Sequence, residues 1–175
     1  MKRLGLIAAL MSLIAPETAM AQTACITAPE AEAMTLVAMP DILRETGRVC
    51  GARLPANSLI RGNGTLISKY ESAADQAWPA ARAAIVKLSD PAIDTLLQSD
   101  YARPLLTSLL VPFIVGRIGL EDCGTIDRLV TQLAPLPPRN MASVVVTALQ
   151  YLKTEKARGR QVAVPDLPLC TNGNR

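Results

Sequence analysis

The chain has 175 residues, of which 50% are hydrophobic and only 3% aromatic, and it carries a formal net charge of +3. So small an excess of positive charge, with one Trp, three Tyr and one Phe in all, excludes the basic and aromatic platforms that bind nucleic acids. The absence of histidine excludes Ser-His-Asp and Cys-His catalytic sites and the commonest ligand of zinc and haem. We therefore predict no nucleic-acid partner, no metal site and no cofactor.

Residues 1–21 have the three parts of a signal peptide. Lys2 and Arg3 form a basic start, an apolar run extends from Leu4 to Ala15, and Ala19-Met20-Ala21 is a typical cleavage site. We predict cleavage after Ala21 and a mature domain of residues 22–175 that is periplasmic or secreted. No later apolar run has the roughly 20 residues that a membrane span needs, so we do not expect the mature protein to be transmembrane.

Helix signals begin directly after this segment. The first predicted helix starts after Thr27, where Glu30 completes a capping box and Pro29 occupies the first turn. It is expected to end before Pro40, because proline interrupts a helix, and a second helix is predicted over residues 41–50. Two helices with so short a connection are expected to form an antiparallel hairpin.

The middle of the chain contains the longest apolar run outside the signal peptide. Helices predicted over residues 65–88, with a break or kink at Pro79, and over 91–97 precede it. The run itself, residues 103–117, is expected to form the central helix of the core, kinked or split at Pro112. An aspartate at Leu109 or Phe113 is therefore expected to prevent folding.

Two last helices are predicted over about 121–134 and 140–156, because a proline-rich turn separates them. An extended tail of about residues 157–175 follows. No alternating strand pattern competes with these helices. The sequence thus predicts an all-α, single-domain bundle of about six to eight helices.

The mature chain contains four cysteines, Cys25, Cys50, Cys123 and Cys170, and an even number in an exported protein predicts disulfides. Three pairings are possible in principle. Each predicted hairpin has one cysteine near its start and one at or beyond its end. We therefore predict two disulfide-stapled hairpins, with pairs Cys25–Cys50 and Cys123–Cys170.

Basic side chains are the candidate binding residues. Arg103 and Arg117 flank the apolar run and could bind an anionic ligand, or could form structural ion pairs. A second group could contact anionic headgroups or lipopolysaccharide, or only complement the dipole of the last helix. It consists of Lys153, Lys156, Arg158 and Arg160.

Tyr70-Glu71-Ser72 resembles the Glu-Ser pair of lytic transglycosylases, in which one glutamate acts as acid and base on peptidoglycan. The glycine-rich block and the aromatic cleft of that family are missing. The sequence therefore favours a non-enzymatic, exported helical protein that binds a protein partner or an envelope ligand. The alternative is a carboxylate-dependent hydrolase or lyase that acts on an envelope polymer.

Overall fold

A computed structural model describes residues 24–62 and 64–170, apart from the side chain of Phe113, so the predicted signal peptide lies outside the described residues. The described chain forms six helices and no β-strand. This confirms the predicted all-α bundle. The helices are α1 (Ala28–Cys50), α2 (Thr65–Leu88), α3 (Ile93–Leu97), α4 (Ala102–Val115), α5 (Cys123–Leu133) and α6 (Pro138–Ala157).

The helix α1 is the one around which the others are arranged. It packs most extensively against α2, and it also contacts α4 and α6. Pro40 lies inside α1 and is buried, so the predicted break between two helices at this position is wrong. An internal proline costs about 3 kcal/mol. The packing of three other helices against α1 outweighs that cost.

A continuous α1 changes the disulfide pairing. Its 23 residues place its two ends about 33 Å apart, so Cys25 and Cys50 cannot reach each other. The bridges are instead Cys25–Cys170 and Cys50–Cys123, with no free cysteine. The prediction that all four cysteines are paired is confirmed, whereas the predicted pairs Cys25–Cys50 and Cys123–Cys170 are wrong.

Each disulfide closes one end of the bundle. Cys50 and Cys123 belong to the core cluster at the C-terminal end of α1. At the other end, Ile26 N–H donates to the carbonyl of Pro168 (2.7 Å), and Cys170 N–H donates to the carbonyl of Ile26 (2.8 Å). The chain after α6 is therefore held against the start of α1 by a disulfide and by backbone hydrogen bonds.

The helix α4 is not the central core helix that the sequence predicts. It buries Ala102, Thr107, Val111 and Val115, and it packs mainly against α1 and, to a smaller extent, against α3. Pro112 lies inside α4 without dividing it. The central position is occupied by α1, which packs against α2 and α6 as well as against α4. One side of α4 is left in contact with solvent.

Candidate functional site

A groove of about 820 Å³ lies between α4 and the middle of α1. This volume is in the range of pockets that hold small molecules, about 300 to 1,000 Å³. Side chains from α1, α2, the turn before α4, and α4 itself line the groove. They include Asp41, Arg44, Glu45, Trp78, Gln98, Asp100, Arg103, Thr107, Ser108 and Pro112.

Glu71, the glutamate of the Glu-Ser pair, is an ion-pair partner next to this groove. Arg44 of α1 donates to Glu71 from one terminal nitrogen and to Asp41 from the other. These contacts give Glu71 a structural role between α1 and α2.

Two other charged groups of the groove are also paired. Arg48 donates to Glu45 from Nε (2.8 Å), and this hydrogen bond lowers the pKa of the Glu45 carboxyl group. Arg103, one of the two predicted anion-binding arginines, lines the groove but forms an ion pair with Asp75 of α2. Four of the five charged groups of the groove are therefore paired, whereas Asp100 forms no ion pair with a described residue.

Two further carboxyl groups have shifted pKa values. Burial of Glu30 acts to raise its pKa, but hydrogen bonds from Thr27 and Lys87 outweigh burial and lower it. The hydrogen bonds from Arg82 lower the pKa of Asp94. Both shifts favour the ionised carboxylate, which suits structural ion pairs that connect helices.

The outer side of α4 presents an apolar face beside the groove. Leu105 and Leu109 are one helical turn apart and are 62% and 60% exposed, while Leu110 and Ile114 are each 47% exposed. We call these four residues the apolar face of α4. Tyr101, directly before the helix, is 82% exposed. Single exposed leucines are common, whereas two pairs of exposed apolar side chains on the solvent side of one helix indicate an interaction surface.

The predicted basic cluster at the end of α6 lies outside the groove lining and consists of Lys153, Lys156, Arg158 and Arg160. Lys153 donates to the carbonyl of Leu167. Arg158 and Arg160 both pair with the buried carboxylate of Glu155, at 2.8 and 2.7 Å. Three of the four residues thus hold the chain after α6 in place, and contact of the cluster with an anionic ligand stays a prediction.

Sequence reasoning identified Arg103 and Arg117 but missed the exposure of the apolar face between them. The available signal was the distribution of apolar residues, since residues 105–115 are apolar on nearly every side of the helix. Such a helix is either buried on all sides or covered on one side by a partner. The groove residues of α1 and α2 gave no comparable signal, because only tertiary packing brings them together.

Among residues 24–62 and 64–170, no group of three or more Cys, Asp or Glu side chains is arranged to hold a metal ion. In the same part of the chain, no helix is both long enough and apolar enough to cross a bilayer. Comparison with family models, curated proteins and solved structures finds no match to this chain. The function therefore has to be inferred from the groove and from the apolar face of α4.

Proposed function

We propose that this is an exported, non-enzymatic binding protein of the bacterial cell envelope, and that α4 forms its binding surface. The exposure of Leu105, Leu109, Leu110 and Ile114 carries the proposal. Covering apolar surface is favourable by about 25 cal/mol per Å². Binding of a partner that covers this side of α4 is therefore favoured by burial of apolar surface that is exposed in the isolated chain.

The neighbouring groove supports binding rather than catalysis. Four of its five charged side chains are paired within the protein, as with Arg44 and Asp41, or Arg103 and Asp75. A polar rim beside an apolar centre is the usual composition of a protein interface. The alternative, a carboxylate-dependent hydrolase or lyase, needs a carboxyl group that stays protonated, and the hydrogen bond from Arg48 disfavours Glu45 for that role because it lowers the pKa of this carboxyl group.

The proposed location outside the cytoplasm has two supports. Residues 1–21 have the pattern of a cleaved signal peptide. The two disulfides are typical of an oxidising compartment such as the periplasm. Together they favour a protein that folds and forms its bridges after export.

We expect the protein recovered from the periplasm of a bacterial host to begin at Gln22, because the Ala19-Met20-Ala21 site suits signal peptidase. Intact-mass measurement of the full-length gene product checks this. As a control, Ala19→Arg together with Ala21→Arg should leave an unprocessed precursor with the inner membrane. A wild-type protein that retains Met1 and fractionates with the membrane would contradict the prediction.

Leu109→Asp is expected to leave the fold intact, which reverses the expectation from sequence. A substitution at an exposed position usually changes the free energy of unfolding by less than about 0.5 kcal/mol. The matched variant Val111→Asp places a carboxylate at a position that is only 4% exposed and should cost several kcal/mol. Urea unfolding measures the free energy of unfolding of both variants. Equal destabilisation by the two variants would show that Leu109 is not on the surface.

The binding role itself is tested by photo-cross-linking in living cells. A photoreactive residue at Leu105, on the apolar face, should give adducts in the periplasm, and Leu109→Asp should abolish them. The same residue at the exposed Gln132 of α5 is the control and should give none. An absence of adducts from Leu105, or equal adducts from both positions, would defeat the proposed function.

A further inference from the structure

We infer that the disulfide Cys25–Cys170 is a redox switch, which a dithiol reductant opens while the other disulfide and the helical bundle stay intact. Opening releases residues 161–170, which we call the strap, and uncovers an apolar surface between α1 and α6. No residue of α4 belongs to that surface, so the inference does not depend on the proposed function. The observation that carries it is the different exposure of the two disulfides.

The two bridges differ in their access to solvent. Cys50 and Cys123 are both 0% exposed and belong to the core cluster at the C-terminal end of α1. Cys25 and Cys170, in contrast, are both partly exposed. A disulfide is reduced when a thiolate attacks one of its sulfur atoms, so access decides which bridge reacts. A dithiol can therefore reach Cys25–Cys170 in the folded protein, whereas Cys50–Cys123 reacts only when the core opens.

The opening step is a thiol–disulfide exchange. One thiolate of the reductant attacks the sulfur of Cys170, forms a mixed disulfide with it and displaces Cys25, which takes up a proton. The second thiolate of the reductant then attacks the mixed disulfide and displaces Cys170, which is protonated in turn. Two electrons pass from the dithiol to the bridge. The reductant leaves as a disulfide, and the protons that its two thiols lose balance those that the two cysteines gain.

The non-covalent contacts of the strap do not replace the bridge. The strap contains no helix, and it exchanges two backbone hydrogen bonds with Ile26. Lys153 donates to the carbonyl of Leu167, and Leu169 supplies a buried apolar side chain. Each ordered residue loses conformational entropy, whereas a hydrogen bond that replaces one to water returns little. We therefore expect the strap to leave the bundle once its covalent attachment to Cys25 is gone.

Release of the strap exposes apolar side chains that it covers. Leu169 is buried in a cluster with Ile26, with Ala31 of α1 and with Val146 of α6. Ile26 and Val146 are each only 2% exposed, and Leu167 packs at the edge of the same cluster. When the strap removes its two leucines, the remaining side chains meet water on one side. They then form an apolar patch that a partner or an apolar dye can cover.

Graded reduction of the oxidised mature protein with dithiothreitol tests the inference. Free thiols are trapped by alkylation at successive times and located by peptide mass mapping. The thiols of Cys25 and Cys170 should appear at least about 100-fold faster than those of Cys50 and Cys123, because the core has to open before the second pair reacts. Amide exchange should become at least about tenfold faster in residues 161–170 and stay unchanged in residues 43–50.

The variant with Cys25→Ser and Cys170→Ser is the matched control, because its strap is free without a reductant. It should bind the dye 8-anilinonaphthalene-1-sulfonate more strongly than the oxidised wild type does, and dithiothreitol should add no further fluorescence under conditions that spare Cys50–Cys123. The wild type should reach the same fluorescence as its Cys25 and Cys170 thiols appear. The increase is the signal, because the apolar face of α4 is exposed in both forms.

Equal rates of thiol formation at the two bridges overturn the inference. Selective reduction of Cys25–Cys170 with unchanged amide exchange in residues 161–170 also overturns it, because the strap would then stay attached without the bridge. Release of the strap without an increase in dye fluorescence rejects the uncovered apolar surface. Cross-linking from Leu105 is independent of these results, so the proposed function and the redox switch fail separately.

Discussion

Replacing Cys50 and Cys123 together by alanine is expected to lower the free energy of unfolding by about 4 kcal/mol or more. Their bridge spans a sequence separation of 73 residues, for which the chain-entropy relation gives about 4 kcal/mol. Both cysteines are fully buried in the core, so removal of the sulfurs also leaves unfilled space. Such a loss is a large part of the 5 to 15 kcal/mol that stabilises a typical domain.

The matched control is the Cys25→Ala, Cys170→Ala pair. Its bridge spans 145 residues, so loop entropy alone predicts a slightly larger loss. However, residues 158–170 contain no helix, and we expect them to detach locally without unfolding of the bundle. We therefore expect a smaller change in global stability, together with faster amide exchange in residues 161–170.

Urea unfolding and hydrogen exchange distinguish the two bridges. A loss of global stability that is equal or greater in the control pair would show that the chain after α6 unfolds together with the helices. Proteolytic mapping without reduction provides a direct check of connectivity. A peptide that joins Cys25 to Cys50 would contradict the continuous α1.

The error in the disulfide pairing came from one local signal. Pro40 ends a helix in most contexts, so the sequence predicted a hairpin that brought Cys25 and Cys50 together. In the structure the packing of α2, α4 and α6 holds the helix together through Pro40. The strength of that packing depends on residues that are distant in sequence, so the residues near Pro40 do not indicate it.

Local interactions, in contrast, were predictable. The backbone N–H of Thr27 donates to the carboxylate of Glu30 at 2.7 Å, as the capping-box spacing indicates. The hydroxyl of Ser58 donates to the carboxylate of Asp127 at 2.6 Å, although the two residues are 69 positions apart. No sequence pattern indicates a contact of this kind. The groove depends on contacts of this second kind, and therefore the sequence alone could not predict it.

The apolar run of α4 shows what a hydrophobic pattern in the sequence cannot predict. Hydrophobicity indicates which residues gain free energy when they leave water, but it does not say whether the covering surface belongs to the same chain. The run was therefore recognised correctly as apolar and placed wrongly at the centre. The centre is occupied by α1 instead.

Gly47→Ala is expected to destabilise the protein by about 2 to 4 kcal/mol. A Cβ atom at this position of α1 would lie 1.9 Å from the carbonyl oxygen of Ile60. Ile60 is itself buried in the core cluster at this end of the bundle, so its backbone cannot move aside without disturbing that cluster. The gain in helix propensity from glycine to alanine, about 1 kcal/mol, offsets only part of the clash.

Gly124→Ala provides the matched control, because it makes the same chemical change inside α5. A Cβ atom at Gly124 would meet no atom within 4 Å. Only the helix propensity changes there, so we expect stabilisation by about 0.5 to 1 kcal/mol. Urea unfolding should therefore give opposite signs for the two variants. If Gly47→Ala were as stable as the wild type, the segment around Ile60 would have to move freely, and α1 would not be packed tightly against it.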